Sequence, residues 1–123
     1  MFSFFKRRDT KIYPKDEIGD AMYREFPDPG SIPDKVFIWY DVYFDKETDA
    51  DRMAEYLNNR NIEIIRDHDD DPGGGLGHWN IDFEIAVKAR HIDLSMAHAD
   101  MLRNIESFNG HLPGWNLSKY EED

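Results

Sequence analysis

The segment Val36–Asp45, VFIWYDVYFD, decides the fold. It is dense in β-branched and aromatic residues and free of glycine and proline, so it reads as one extended strand with alternate side chains on opposite faces. Val36, Ile38, Tyr40, Val42 and Phe44 form one row, and Phe37, Trp39, Asp41 and Tyr43 form the other. The first row is uniformly apolar and calls for a covering layer. The second sets three large rings around a carboxylate, which leaves two readings: the protein covers it, or something else binds there.

Downstream, DKETDADRMAEYLNNRN places Ala50, Met53, Ala54 and Leu57 on one stripe, with acids in its first turn and Asn61 at a left-handed cap position, and predicts a helix. IEIIRDH follows as a β-branched strand, and DDDPGGGLG as a turn. HWNIDFEIAVK then alternates Trp79, Ile81, Phe83, Ile85 and Val87 against His78, Asn80, Asp82, Glu84 and Lys88, so these two strands form a hairpin. In IDLSMAHADMLRNIESFNG the residues Leu94, Ala97, Met101, Ile105 and Phe108 mark a second helix that stops at Gly110. HLPGWN is a short last strand that Pro113 pushes to an edge or a bulge.

The order strand, helix, strand, strand, helix, strand is that of an α+β, ferredoxin-like β-α-β-β-α-β sandwich, a four-stranded antiparallel sheet with two helices on one face. Three segments follow: 1-34, an N-terminal arm with a short helix and a Pro-rich linker; 35-117, the ferredoxin-like domain; and 118-123, an acidic tail. The short helix rests on Ile18, Met22 and Phe26 in KDEIGDAMYREF, and PDPGSIPD supplies the linker. The rows around Val36 and Trp79 should meet the helices. Phe37, Trp39, Asp41 and Tyr43 then share the open face with Asp82 and Glu84, and this group is the candidate partner-binding site.

Composition limits what could bind there. Fifteen Lys+Arg against 26 Asp+Glu give a net charge of −11 over 123 residues, a field that repels phosphate backbones. An open sheet with aromatics can stack RNA bases, but that use needs basic residues around the rings, and here the neighbours are acids. A basic protein partner suits the surface better; coverage by the N-terminal helix, or by a second copy of the domain, is the structural alternative.

The chain has no cysteine, which removes disulfides and thiolate chemistry and fits a reducing compartment. No apolar run is long enough to span a membrane, and MFSFFKRRD lacks the order of a signal peptide, so a cytoplasmic location is expected. Phe2, Phe4 and Phe5 with Lys6, Arg7 and Arg8 read as a frayed or self-packing arm rather than a membrane anchor.

Chemistry has weaker claims. Asp67, His68, Asp69, Asp70, Asp71 and His78 could offer oxygen and imidazole to a divalent cation, but an EF-hand loop started at Asp67 would have Pro72 and His78 at its glycine and glutamate positions. A soluble hairpin turn is the simpler reading. The glycines Gly73, Gly74, Gly75 and Gly77 lead into a strand rather than a helix N-terminus, so they are not a phosphate loop. His91 and His98 are expected to be surface or half-buried imidazoles. No catalytic set emerges; no cofactor and no enzyme activity are expected.

The segments DVYFDKETDADRMAEYLNNRNIEI (41–64) and NGHLPGWN (109–116), together with Trp79, resemble the RraB-type regulators, the ribonuclease E inhibitor family, over about Lys35 to Leu117. The family pattern has an acidic residue before Gly-Trp near its end, where this chain has Pro113 before Gly114 and Trp115. The resemblance implies a ferredoxin-like, non-catalytic domain, some members of which bind and restrain an RNA-degrading endonuclease. A small-ligand or divalent-metal-binding protein, and a homodimer whose sheet faces pair, are the alternatives.

Overall fold

Along Lys35–Phe44 (β1), the row Val36, Ile38, Tyr40, Val42 and Phe44 is wholly buried, while Phe37, Trp39, Asp41 and Tyr43 are half-buried. That alternation, seen in the computed structural model, which describes residues 7–70 and 75–120, organises the whole fold. The other strands are Ile64–His68 (β2), Trp79–Lys88 (β3) and His111–Lys119 (β4). They form one antiparallel sheet in the order β2-β3-β1-β4. Tyr40 lies opposite Phe83 on one side and Trp115 on the other, so the buried row continues across three strands.

Three helices supply the covering layer: Glu17–Glu25 (α1), Glu47–Asn59 (α2) and His91–Ser107 (α3). The architecture is α+β and consistent with a ferredoxin-like fold. Helix α2 turns Ala50, Met53, Ala54 and Leu57 onto the sheet. It ends with Asn61 at φ 59° and the Ile62 amide donating to the Leu57 carbonyl, the cap expected of a left-handed residue. Helix α3 closes in the same way, but the left-handed residue is Asn109 rather than Gly110. Gly110 serves another purpose, because a Cβ there would come within 2.8 Å of Val42 Cγ1.

Two boundaries differ from the sequence reading. The last strand is not short: it runs on through Ser118 and Lys119, since its backbone keeps pairing with β1 as far as Val36. Pro113 sits where β4 forms the sheet edge and where its register against β1 shifts between Asp41 and Tyr43, so both consequences expected of it occur. The N-terminal helix, read as an appendage, is part of the core. Tyr13, Ile18, Ala21, Met22 and Phe26 are buried in it, and the Tyr13 hydroxyl donates to the Phe26 carbonyl.

Helix α1 is capped by Asp16, whose Oδ1 accepts from the Gly19 amide at 2.7 Å. It docks on the helical side of the sheet. Trp115 Nε1 donates to Glu17 Oε1 at 2.8 Å, and His91 Nε2 lies 2.7 Å from Asp16 Oδ2. Trp115 shares the face of Tyr40, so α1 lies beside α3 above β4, and among the described residues no helix covers the other face of the sheet. Phe2, Phe4, Phe5 and Lys6 of the proposed arm lie outside the described residues. Arg8 does pack inward, pairing with Asp20 at 2.7 Å and lying 5.4 Å above the Tyr23 ring.

Candidate functional site

Strand register builds the open face. Trp39 lies opposite Glu84, Asp41 opposite Asp82 and Tyr43 opposite Asn80, while on β2 Ile65 is opposite Asp82 and Asp67 opposite Asn80. All six candidate residues, Phe37, Trp39, Asp41, Tyr43, Asp82 and Glu84, therefore share this side. Phe37, Trp39, Asp82 and Glu84 line a shallow groove of about 580 Å³, whereas Asp41 and Tyr43 stand outside it, further along the sheet.

Two groove residues carried no functional weight in the sequence. Tyr120, placed by sequence in a solvated tail, packs on Phe37 with ring centroids 4.9 Å apart, and Lys35 Nζ sits 5.8 Å above its ring. Ile65 is 62% exposed, unusual for a strand residue of its size, and extends the apolar floor towards the β2 edge. The alternation of IEIIRDH could have located Ile65; nothing local marks Tyr120, whose position depends on β4 being longer than expected.

The centre of the face is a like-charge pair. Asp41 and Asp82 are directly opposed across antiparallel strands, the arrangement in which like charges oppose folding. Asn80 mitigates it. Its Nδ2 donates to Asp41 Oδ1 at 2.5 Å and to the Val42 carbonyl at 3.1 Å, and the residue is buried although it lies on the open face. Asp82 Oδ1 is buried without a partner. Burial, followed by the hydrogen bond and the charge from Asp41, pushes the Asp82 carboxyl up to about 7. Tyr43 is also pushed above its ordinary value, by burial first and then by the charges of Asp41, Asp69 and Asp82. Among the described residues, no ion pair involves Asp41, Asp82 or Glu84.

The acidic hairpin turn is a separate place. His68 Nδ1 lies 3.2 Å from Asp70 Oδ1, its ring meets Trp79 edge-on at 4.6 Å, and His78 Nδ1 lies 2.7 Å from the Asp69 carbonyl. Among the described residues no group of three or more His, Asp or Glu could hold a metal ion; Asp71, Pro72, Gly73 and Gly74 lie outside them.

His98 corrects the sequence reading. It is 5% exposed, because the buried stripe of α3 runs Leu94, His98, Met101, Ile105 rather than through Ala97. Its Nδ1 is 2.9 Å from the Tyr40 hydroxyl, and its ring meets the Trp115 indole at 4.2 Å.

Among the described residues no helix is long and apolar enough to cross a membrane. In comparisons with known proteins, no family model, no curated protein and no solved structure matches the chain.

Proposed function

We propose that this chain is a cytoplasmic, non-catalytic regulator of the RraB kind: a ferredoxin-like module that docks a basic protein, an RNA-degrading endonuclease such as ribonuclease E, on its open sheet face. One observation carries the reading. Phe37, Trp39 and Tyr43, with Asp41, Asp82 and Glu84, lie on the side of the sheet that none of the three helices covers. Partly exposed rings flanked by uncompensated carboxylates complement a surface that normally holds bases and phosphates, and the charge of −11 steers such a partner inward. A direct RNA complex is disfavoured by the same acids. Face-to-face pairing of two copies would bring each carboxylate cluster against its own image, so the heterologous partner is preferred.

The test is RNA cleavage by ribonuclease E with increasing amounts of this protein. Inhibition should weaken as salt is raised. The double variant Trp39→Ala, Tyr43→Ala should inhibit at least about tenfold less well, since buried interface rings commonly contribute ~2 kcal/mol or more each. Equal inhibition by parent and variant, or none by the parent, would remove this reading.

A further inference from the structure

A second cleft, of about 520 Å³, lies on the opposite side of the sheet from the proposed docking face, between α1, α3 and β4. Its volume is within the range of ordinary small-molecule sites, roughly 300–1,000 Å³. Leu102 and Leu112 form its apolar wall, Trp115 closes one side, and Glu17, Asp20 and Arg24 stand at the lip. The His98 ring lines it from below.

The hydrogen-bond inventory of this cleft is unbalanced. Tyr40 is wholly buried, and its hydroxyl has one partner, His98 Nδ1. Burial lifts the phenol well above its ordinary value, so it keeps its proton. A buried O–H needs an acceptor, and among the described residues its hydrogen-bond partner is Nδ1; the hydroxyl therefore donates to Nδ1. Burial also holds the imidazole neutral by lowering its pKa, against the smaller opposing effect of Glu17. The ring proton is thus on Nε2, which is buried and without a partner. Nδ1 is taken up by Tyr40, and the same ring lines the cleft and packs against the Trp115 indole, with centroids 4.2 Å apart.

The acids at the lip are already engaged. Glu17 Oε1 accepts from Trp115 Nε1 at 2.8 Å, and Asp20 pairs with Arg8 at 2.7 Å. Arg24 makes no ion pair among the described residues. Among the described residues, the buried His98 Nε2–H and the exposed Arg24 guanidinium have no protein acceptor, and both stand beside an apolar wall.

We propose that this cleft binds a small carboxylate with an apolar or aromatic body, the carboxylate held by His98 Nε2–H and Arg24 and the body laid against Trp115, Leu102 and Leu112. Access to Nε2 requires the indole to swing aside, and its hydrogen bond to Glu17 is the tether that must release. The net charge of −11 repels anions at long range, so binding is weak rather than tight. This inference does not depend on the docking face.

The experiment is NMR of the full chain labelled with ¹⁵N-histidine and ¹⁵N-tryptophan, titrated with phenylacetate and, separately, with its neutral analogue phenylacetamide. The free protein should show His98 as the Nε2–H tautomer. Phenylacetate should give saturable shifts of both His98 Nε2 and the Trp115 indole N–H. Phenylacetamide, or phenylacetate added to the exposed-site variant Arg24→Gln, should bind at least about fivefold more weakly, the loss of one charge-assisted contact. An Nδ1–H tautomer, shifts that do not saturate at millimolar phenylacetate, or equal binding of acid and amide would each overturn the proposal.

Discussion

Trp39 and Tyr40 are neighbours in the chain, yet Tyr40 is wholly buried between Phe83 and His98, while Trp39 keeps a partly exposed ring opposite Glu84. The two faces of one sheet thus use similar ring content differently. On the covered face nearly every buried side chain is apolar, and the buried imidazole of His98 is tied to a tyrosine. On the open face rings alternate with carboxylates, and two of those carboxylates stand directly opposite one another. That pair opposes folding rather than supporting it, because like charges directly across antiparallel strands repel.

The largest difference between the faces should appear on truncation. Phe83→Ala, in the covered core, is expected to cost about 3–5 kcal/mol, since it leaves a cavity among packed side chains. Trp39→Ala, on the open side, should cost well under half of that, because part of the ring is already in water. Urea denaturation of the two variants measures it. Similar losses would mean that the open face is as much part of the core as the covered one.

A smaller effect probes the covered face's polar contact. Tyr40→Phe removes the donor to His98 Nδ1 and leaves a buried nitrogen unpaired, for an expected loss of about 1–3 kcal/mol. The same variant should release His98 from the Nε2–H tautomer, read by its ¹⁵N shifts. An unchanged tautomer would mean that Tyr40 does not set it.

How far the sequence reached follows from the kind of signal each feature carries. The alternation in VFIWYDVYFD assigns both rows of β1 correctly, because a period of two leaves no freedom once one row is buried. The helical stripe of α2 and its left-handed cap at Asn61 were legible for the same local reason. The role of α1 was not. Its burial depends on Tyr13, which precedes the helix, and on Trp115, far along the chain, neither of which a local period can connect. His98 was missed because a polar residue in an apolar stripe reads as exposed, and only Tyr40 across the core makes its burial tolerable. The opposition of Asp41 and Asp82 needed the strand register, which depends on how the hairpin and the long connection through α2 place β3 beside β1.

The smallest effect is also the sharpest test of the open face. Asp82 titrates near 7 in the folded chain, above the ordinary carboxylate value of about 3.9 that it has when unfolded. Between those values the folded state holds a proton that the unfolded state has lost, so stability falls as pH rises through this window. Asp82→Asn removes that dependence while keeping the shape of the side chain. The variant should match the parent near pH 4 and exceed it above pH 7, by roughly 0.2–1 kcal/mol, the size of a cross-strand pair term, since the site is partly open to solvent. Urea midpoints across that range decide it. A gap independent of pH would place the Asp41–Asp82 conflict elsewhere, whereas a gap that opens with pH would show that the fold gives up stability at the very surface proposed to receive a partner.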